Sequence, residues 1–358
     1  MTPRIVLVIL ALAVSGLGQS PQFPLQRGIN ISHWLSQSDR RGDARESFFQ
    51  ERHVQQIAGW GFDHIRIPID EEQMWDEQNR AHPRAFRLLQ SALSWCEKYE
   101  LRAIVDLHIL RSHHFNAKEK PLWTDPTAQE RFFQLWVELS DSLQRWPTSM
   151  VAYELMNEPV ADHHKEWNKL VDKATAVIRD KESERFVVIG SNRWQSVHTF
   201  DSLRVPENDP YIILSFHCYH PMPLTHYKAS WTGVGRYTGP VKYPGLIIDP
   251  TDLAKQPADI VNMMQGHIEV WNRAKLEALL AKPLALAKKT GLSLYCGEWG
   301  TITNAPRTDR LQWYRDMKVN LEKHGIGWAT WDFKSNNFGL IGYDETVDET
   351  LKTILSSH

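Results

Sequence analysis

The order of local signals predicts an α/β protein, a closed (β/α)8 TIM barrel, and three observations carry that prediction. Eight short apolar runs with strand character alternate with segments of helical period, the pattern of a parallel sheet built from βαβ units. Several runs stay apolar until their last residues, where amides, carboxylates, histidines and tryptophans emerge; in a barrel such residues converge on one mouth. The chain of 358 residues carries no linker rich in Ser, Gly or Pro, no repeat and no low-complexity tract, so a single catalytic-size domain accounts for residues 21–358.

The elements follow in chain order. Arg4, the apolar run Ile5 to Leu17 and the small residues Ser15, Gly16, Gly18 and Ser20 read as a secretory signal peptide over residues 1–20, too short to span a bilayer comfortably and cut between Gly16 and Ser20. The first strand lies within Leu25 to Leu35, and a helix from about Arg45 to Trp60 follows, closed by Gly61. Asp63 to Ile69 is a second strand with Arg66 on one face, Pro83 opens a helix through Tyr99, and Leu101 to His108 is the third strand. Asp125 as N-cap and Pro126 as first helical residue start a helix to about Trp146. The fourth strand, Val151 to Pro159, comes next; a helix over 165–180 leads to a fifth, Phe186 to Gly190, ending near Asn192 and Trp194. Tyr211 to Tyr219 is the sixth. The long insertion 221–266, with Trp231, Tyr237 and Tyr243, is expected to form an ordered wall of a binding cleft. A helix over 271–290, terminated by Gly291, precedes the seventh strand, Leu292 to Gly300; a helix over 309–324 precedes the eighth, Ile326 to Phe333, and a closing helix completes the chain.

The stretch richest in chemistry is Val151-Ala-Tyr-Glu-Leu-Met-Asn-Glu-Pro159. Strand alternation puts Glu154, Met156 and Glu158 on one face and Asn157 on the other, and at about 3.3 Å per residue Glu154 lies roughly 13 Å below Glu158. A second carboxylate able to reach the same bond as Glu158 therefore has to come from another strand. Glu298, released between Gly297 and Trp299, is that candidate. Either acid alone is as readily the buried partner of an arginine. Two of them at strand ends suit glycosidic hydrolysis, in which one carboxylic acid protonates the leaving oxygen and a second carboxylate meets the oxocarbenium-like carbon. Arg66 is the cation that keeps one of them ionised. Asn30 to Trp34, His108, Asn157, His217, Tyr219 and Trp331 complete the predicted mouth, with Asp106 and Glu154 deeper and paired with Arg66.

Composition narrows the partners. A net charge of −2 and the absence of a basic stretch interleaved with aromatics exclude nucleic acid. Among the fifteen tryptophans, Trp34, Trp123, Trp194, Trp231 and Trp299 are candidates to stack on the C–H face of a sugar, whereas Trp95, Trp136 and Trp167 lie on helices and are read as packing residues. Cys96, Cys218 and Cys296 are an odd set; alternation places Cys296 on the face of Glu298 and Cys218 on the opposite one, and no disulfide is expected. His108, His113, His114, His217 and His220 make a poor metal set, since no strand presents His-x-His, so neither metal nor cofactor is expected.

Arg27-Gly-x-Asn30, Arg66-x-Pro68, Asp106-x-His108, Asn157-Glu158-Pro159, His217-x-Tyr219, Gly297-Glu298 and Trp331 resemble, in order and across nearly the whole mature chain, the strand-end motifs of glycoside hydrolase family 5, the cellulase family of a large (β/α)8 clan. The resemblance implies a retaining mechanism with Glu158 as general acid/base and Glu298 as nucleophile. It further implies Asn157 bonded to the sugar 2-hydroxyl, Arg66 and Tyr219 supporting Glu298, His108 and His217 contacting the glycone sugar and Trp331 as its stacking floor. After His108 the chain departs from many members, reading Ile109-Leu-Arg-Ser-His-His-Phe115 in place of a Pro/Gly turn; His113 and His114 are either subsite residues or solvated. The implied substrate is a β-linked polysaccharide or oligosaccharide, foremost a β-1,4-glucan cut internally, with mannan, xyloglucan, β-1,3-glucan and exo action as alternatives. A secreted monomer, free of the membrane after signal cleavage, is expected. The rival class, a non-catalytic carbohydrate-binding barrel, would have no use for the acid pair.

Overall fold

The computed structural model describes residues 21–357, and the predicted signal peptide lies outside them. Eight parallel strands close into a barrel in chain order: β1 (Arg27–Asn30), β2 (His64–Asp70), β3 (Arg102–Ile109), β4 (Val151–Glu154), β5 (Val187–Gly190), β6 (Ile212–Cys218), β7 (Ser293–Trp299) and β8 (Gly327–Thr330). Closure runs through β1, where Gly28 sits beside His64 of β2 and Ala329 of β8. The approach requires glycine, because a Cβ at residue 28 would come within 2.1 Å of the His64 ring.

Alternation along the strands sorts the core in two. Outward residues such as Ile65, Ile67, Val105, Leu107, Tyr153 and Leu214 join the helix faces in one large apolar layer. Inward residues Ile104, Ala152, Val188, Ile213, Tyr295 and Ala329 join Phe23 and Phe186 in a small plug. Two residues further along the same strands the inward positions turn polar: Asp106 follows Ile104, Glu154 follows Ala152, and Ser215 and then His217 follow Ile213. The barrel is thus apolar at the N-terminal ends of its strands and charged toward the C-terminal ends.

Strand β7 breaks the alternation. Phe216 faces Cys296 while the very next residue, His217, faces Glu298, so β7 carries one extra residue at Gly297, and the pairing with β8 shifts across the same place. This bulge corrects the alternation argument for Cys296, which joins Cys218 in the outer layer while Glu298 turns inward to Arg66. All three cysteines are free and buried.

The helix expected over 45–60 is two, Gly42–Phe48 and Glu51–Gly59, because Gln50 restarts it as an N-cap whose own N–H donates to His53 Nδ1 at 3.0 Å. The helix expected over 271–290 is also divided, into Arg273–Ala278 and Ala281–Thr290; Pro283 has no N–H to bond back to Leu279. Gly291 ends it with φ 73°. The insertion 221–266 is ordered, with short helices at Met222–Thr225, Pro250–Leu253 and Ala258–Met264. Tyr237 and Tyr243 are buried within it and line no cleft; Tyr243 donates to Asp316 Oδ2 at 2.8 Å. No helix among the described residues is long and apolar enough to cross a membrane.

Candidate active site

The site is built outward from Arg66, fully buried on β2. Its planar fork is fully engaged. Nε and Nη2 donate to the two oxygens of Glu154 at 2.6 and 3.1 Å, Nη1 to Asn30 Oδ1 at 2.9 Å and Glu298 Oε1 at 2.8 Å, and Nη2 to Asn157 Oδ1 at 2.9 Å; Asp106 Oδ2 lies 3.0 Å from Nη2. One guanidinium therefore ties together residues from β1, β2, β3, β4 and β7 and the chain just beyond β4. Asn30 is equally committed, donating through Nδ2 to the carbonyl of Gly297 at 2.9 Å, which holds the bulge in place.

A single positive charge faces three carboxylates here, and buried carboxylates without enough countercharge take up protons. Burial pushes Asp106 up to about 7 against the pull of Arg66, and burial raises Glu154 in the same way. His108 Nδ1 is 2.6 Å from Asp106 Oδ2, yet burial drives the imidazole down to about 3, so this contact is a hydrogen bond of a neutral ring.

Glu158 and Glu298 meet beside this hub. One carboxylate oxygen of each, together with a ring nitrogen of His217, lie within 4.8 Å of one another. Their surroundings differ. Glu298 Oε1 accepts from Arg66 and Oε2 from the Tyr219 hydroxyl at 3.0 Å, whereas Glu158 Oε1 has only His217 Nδ1, at 3.0 Å. Burial raises both acids. For Glu158 the charge of Glu298 adds to burial and drives the carboxyl well above its usual range; for Glu298 burial is opposed by Arg66 and by the Tyr219 hydroxyl. The proton held by the pair therefore belongs on Glu158 and the negative charge on Glu298. His217, depressed by burial and by Arg66, is neutral between them.

A protonated and an ionised carboxyl this close can act together on one acetal carbon. Retaining pairs lie about 5–5.5 Å apart, while an inverting pair stands roughly 6.5–9.5 Å apart to admit water. Glu158, His217 and Glu298 also form the one group among the described residues whose donor atoms lie near enough for a metal ion, but Arg66 already places a positive charge 2.8 Å from Glu298 and repels a second cation. His108, His113, His114, His217 and His220 do not gather into a ligand set among the described residues: His113 packs edge-on to Trp123, and His220 stacks on Trp271.

The structure brings Arg66, Asn157, Glu158, His217, Tyr219 and Glu298 together, with His108 beside them and the Trp331 ring parallel to His108 at 5.7 Å. Three readings are corrected. β4 stops at Glu154, so alternation does not reach Asn157, which turns to Arg66 on the same side as Glu158. Trp34 is fully buried, its Nε1 donating to the Arg45 carbonyl at 3.0 Å. Trp299 is fully buried too, facing away from Glu298 into Trp313, Tyr314 and Trp328. Neither indole offers a face to a sugar, whereas Trp194 and Trp231 are 43% and 48% exposed. His113 is a buried packing residue whose Nε2 accepts from the Val160 N–H at 3.2 Å. Sequence reasoning missed Gln195, fully buried behind Glu158; its place just past the end of β5, next to Trp194, was the available signal.

Comparison with known proteins gives the family and the fold. The model of the family described as Cellulase (glycosyl hydrolase family 5) matches residues 26–337. Endoglucanase C of Acetivibrio thermocellus is 31% identical over 335 residues, covering 92% of this chain and 97% of that protein. Cellodextrinase A of Ruminococcus flavefaciens is 29% identical over 303 residues, covering 84% of this chain and 83% of its own. A solved endoglucanase structure superposes with a TM-score of 0.76 over 93% of this chain and 97% of that one, and at 22% identity this is a likeness of fold.

Proposed function

The chain belongs to the cellulase family, glycosyl hydrolase family 5, and from that premise we propose a secreted endo-β-1,4-glucanase that works by double displacement, with residues 21–358 as its single catalytic domain. It is a glycoside hydrolase. The observation that carries the proposed mechanism is the approach of the two carboxyl groups within 4.8 Å, with Arg66 bonded to Glu298 and not to Glu158.

In the first step Glu158 protonates the glycosidic oxygen while Glu298 attacks the anomeric carbon; the bond to the leaving sugar breaks and a glycosyl ester forms on Glu298. In the second, the Glu158 carboxylate takes a proton from water as that water attacks the same carbon and releases Glu298. Inversion occurs twice, so configuration is retained. Tyr219 and Arg66 stabilise Glu298 before attack and again as it leaves. Because Asn157 Oδ1 accepts from Arg66, its amide nitrogen is the end left to donate to the 2-hydroxyl, a contact that strengthens in the transition state. His108 and His217 line the glycone sugar and Trp331 is its floor.

Cleavage within a β-1,4-glucan is supported by the relatives named endoglucanase and cellodextrinase, and secretion by the apolar run Ile5 to Leu17. Product analysis on a panel of defined polysaccharides tests the substrate. A ladder of short oligomers released early from a soluble β-1,4-glucan is expected. Release of only mono- or disaccharide from chain ends would sink the endo assignment, and cleavage of mannan or β-1,3-glucan in its place would sink the substrate.

A further inference from the structure

We infer that Gln195 is a positioning residue for Glu158: it fixes the backbone of that acid and ties it to the arginine serving Glu298. The inference rests on reading Glu158 as the general acid. Glu158 has φ +44°, a left-handed backbone that a residue with a Cβ holds only when its surroundings impose it. The imposing group is Gln195, whose Oε1 accepts the Glu158 N–H at 3.1 Å while its Nε2 donates to Glu154 Oε1 at 3.0 Å. Glu154 in turn binds Arg66, which binds Glu298. One buried amide thus connects the backbone of one acid to the charge network of the other.

Gln195 is itself held firmly. It ends a run of three left-handed residues, Arg193 (φ 63°), Trp194 (φ 62°) and Gln195 (φ 49°), and it rests against Gly190 at the end of β5, where a Cβ would lie 2.3 Å from Gln195 Cγ. The same turn grips the chain beyond Glu158: the Trp194 N–H donates to the Pro159 carbonyl at 3.2 Å, and the Asn192 amide accepts from Ala161 N at 2.8 Å and donates to Ala161 O at 3.0 Å. From the other side His113 Nε2 takes the Val160 N–H. Residues 158–161 are therefore fastened at each peptide. An amide is needed at 195 because one end must accept and the other donate; a carboxylate would face Glu154 with like charge, and a thioether would serve neither partner.

The test separates positioning from packing by leaving-group chemistry. The specificity constant kcat/KM is measured for wild type, Q195M, Q195E and E158A on 2,4-dinitrophenyl β-cellobioside, whose phenolate leaves without a proton, and on cellotetraose, whose alcohol needs one; thermal melting reports folding. Q195M is expected to lose about 10²-fold on cellotetraose, the scale of a misplaced catalytic group, and less than about threefold on the dinitrophenyl substrate, because an acid poised for proton transfer is worth ~10²–10⁴ only where a proton is required. Equal losses on both substrates, or no loss in a folded Q195M, would overturn the inference. Q195E, which keeps an acceptor for the Glu158 N–H and loses the donor to Glu154, is expected to show a smaller but still selective loss on cellotetraose; where Q195M does not fold, equal losses of Q195E on both substrates, or none, overturn the inference. E158A must show the selective loss in greater degree. Absence of selectivity in E158A removes the reading of Glu158 itself, whereas selectivity in E158A with uniform loss in Q195M and Q195E removes only the role of Gln195.

Discussion

Arg66 and Tyr219 decide which of two similar acids carries the charge. Both approach Glu298 and neither approaches Glu158 as a donor, and the proposed division of roles, Glu298 as nucleophile and Glu158 as acid, rests on that asymmetry. The consequence is a pH prediction. The proposed mechanism needs Glu298 ionised, so the acid limb of kcat/KM is expected to follow its protonation. Burial raises that carboxyl and the Tyr219 hydroxyl lowers it; in Y219F the lowering is gone, the folded-state value rises, and the acid limb moves to higher pH. A hydrogen bond to a charged group is worth ~1.5–3 kcal/mol, which at 1.36 kcal/mol per pH unit is a shift of about one to two units. An acid limb unmoved in Y219F, measured from pH–rate profiles, would mean that the hydroxyl does not support the ionised form. Arg66 and Glu298 stood out in the sequence because each is a charged residue within an otherwise apolar strand, and Glu158 because it closely follows one. Asn157 was placed on the wrong face because the strand ends three residues before it, and a strand's end is set by pairing with β3 and β5 that its own residues do not reveal.

At the level of elements, the eight strands were legible because strands covered on both faces are continuously apolar, and the helix breaks were less so because they depend on local reciprocity such as Gln50 with His53. Trp34 and Trp299 show the same limit: a tryptophan at a strand end is visible, but the face it takes is set by register, and in β7 the register is altered by a bulge. That bulge should be intolerant of a side chain. A Cβ at Gly297 would lie 2.9 Å from Ser215 Oγ and 3.2 Å from His217 Nε2, so G297A is expected to displace His217 from Glu158 and lower kcat/KM by about 10²-fold; unchanged kinetics would show that the bulge is not what aims these groups. The C-terminal helix, Glu349–Ser356, depends on Asp348, which caps it by accepting from Leu351 N at 3.0 Å and binds Arg307 and Arg310. Burial pushes this carboxyl up, but Arg307, the Leu351 N–H and Arg310 together hold it well below the usual carboxylate range. D348A should cost about 1–2 kcal/mol in denaturant unfolding at neutral pH. Since the folded-state value is depressed, the contribution is present above the usual carboxylate range and fades as pH falls through the lower folded value; a deficit that does not shrink in acid would contradict this account.

Across the whole molecule the interior of the barrel changes from apolar plug to charged mouth along its axis. The plug of Ile104, Ala152, Val188, Ile213, Tyr295 and Ala329 closes the N-terminal end, and the network around Arg66 occupies the next layer. Only then do Glu158 and Glu298 appear, nearly buried, with side chains 13% and 6% exposed. The order of strands made this architecture legible, since a run of βα units closes in few ways. What no local pattern held was the closeness of two acids 140 residues apart, which requires the whole ring of strands to close. Their division of labour is open to a direct test. A 2-deoxy-2-fluoro cellobioside with an activated leaving group should trap the glycosyl-enzyme, and mass spectrometry of its peptides should find the sugar on Glu298. The sugar found on Glu158 or elsewhere, or no adduct together with products of inverted anomeric configuration, would contradict it.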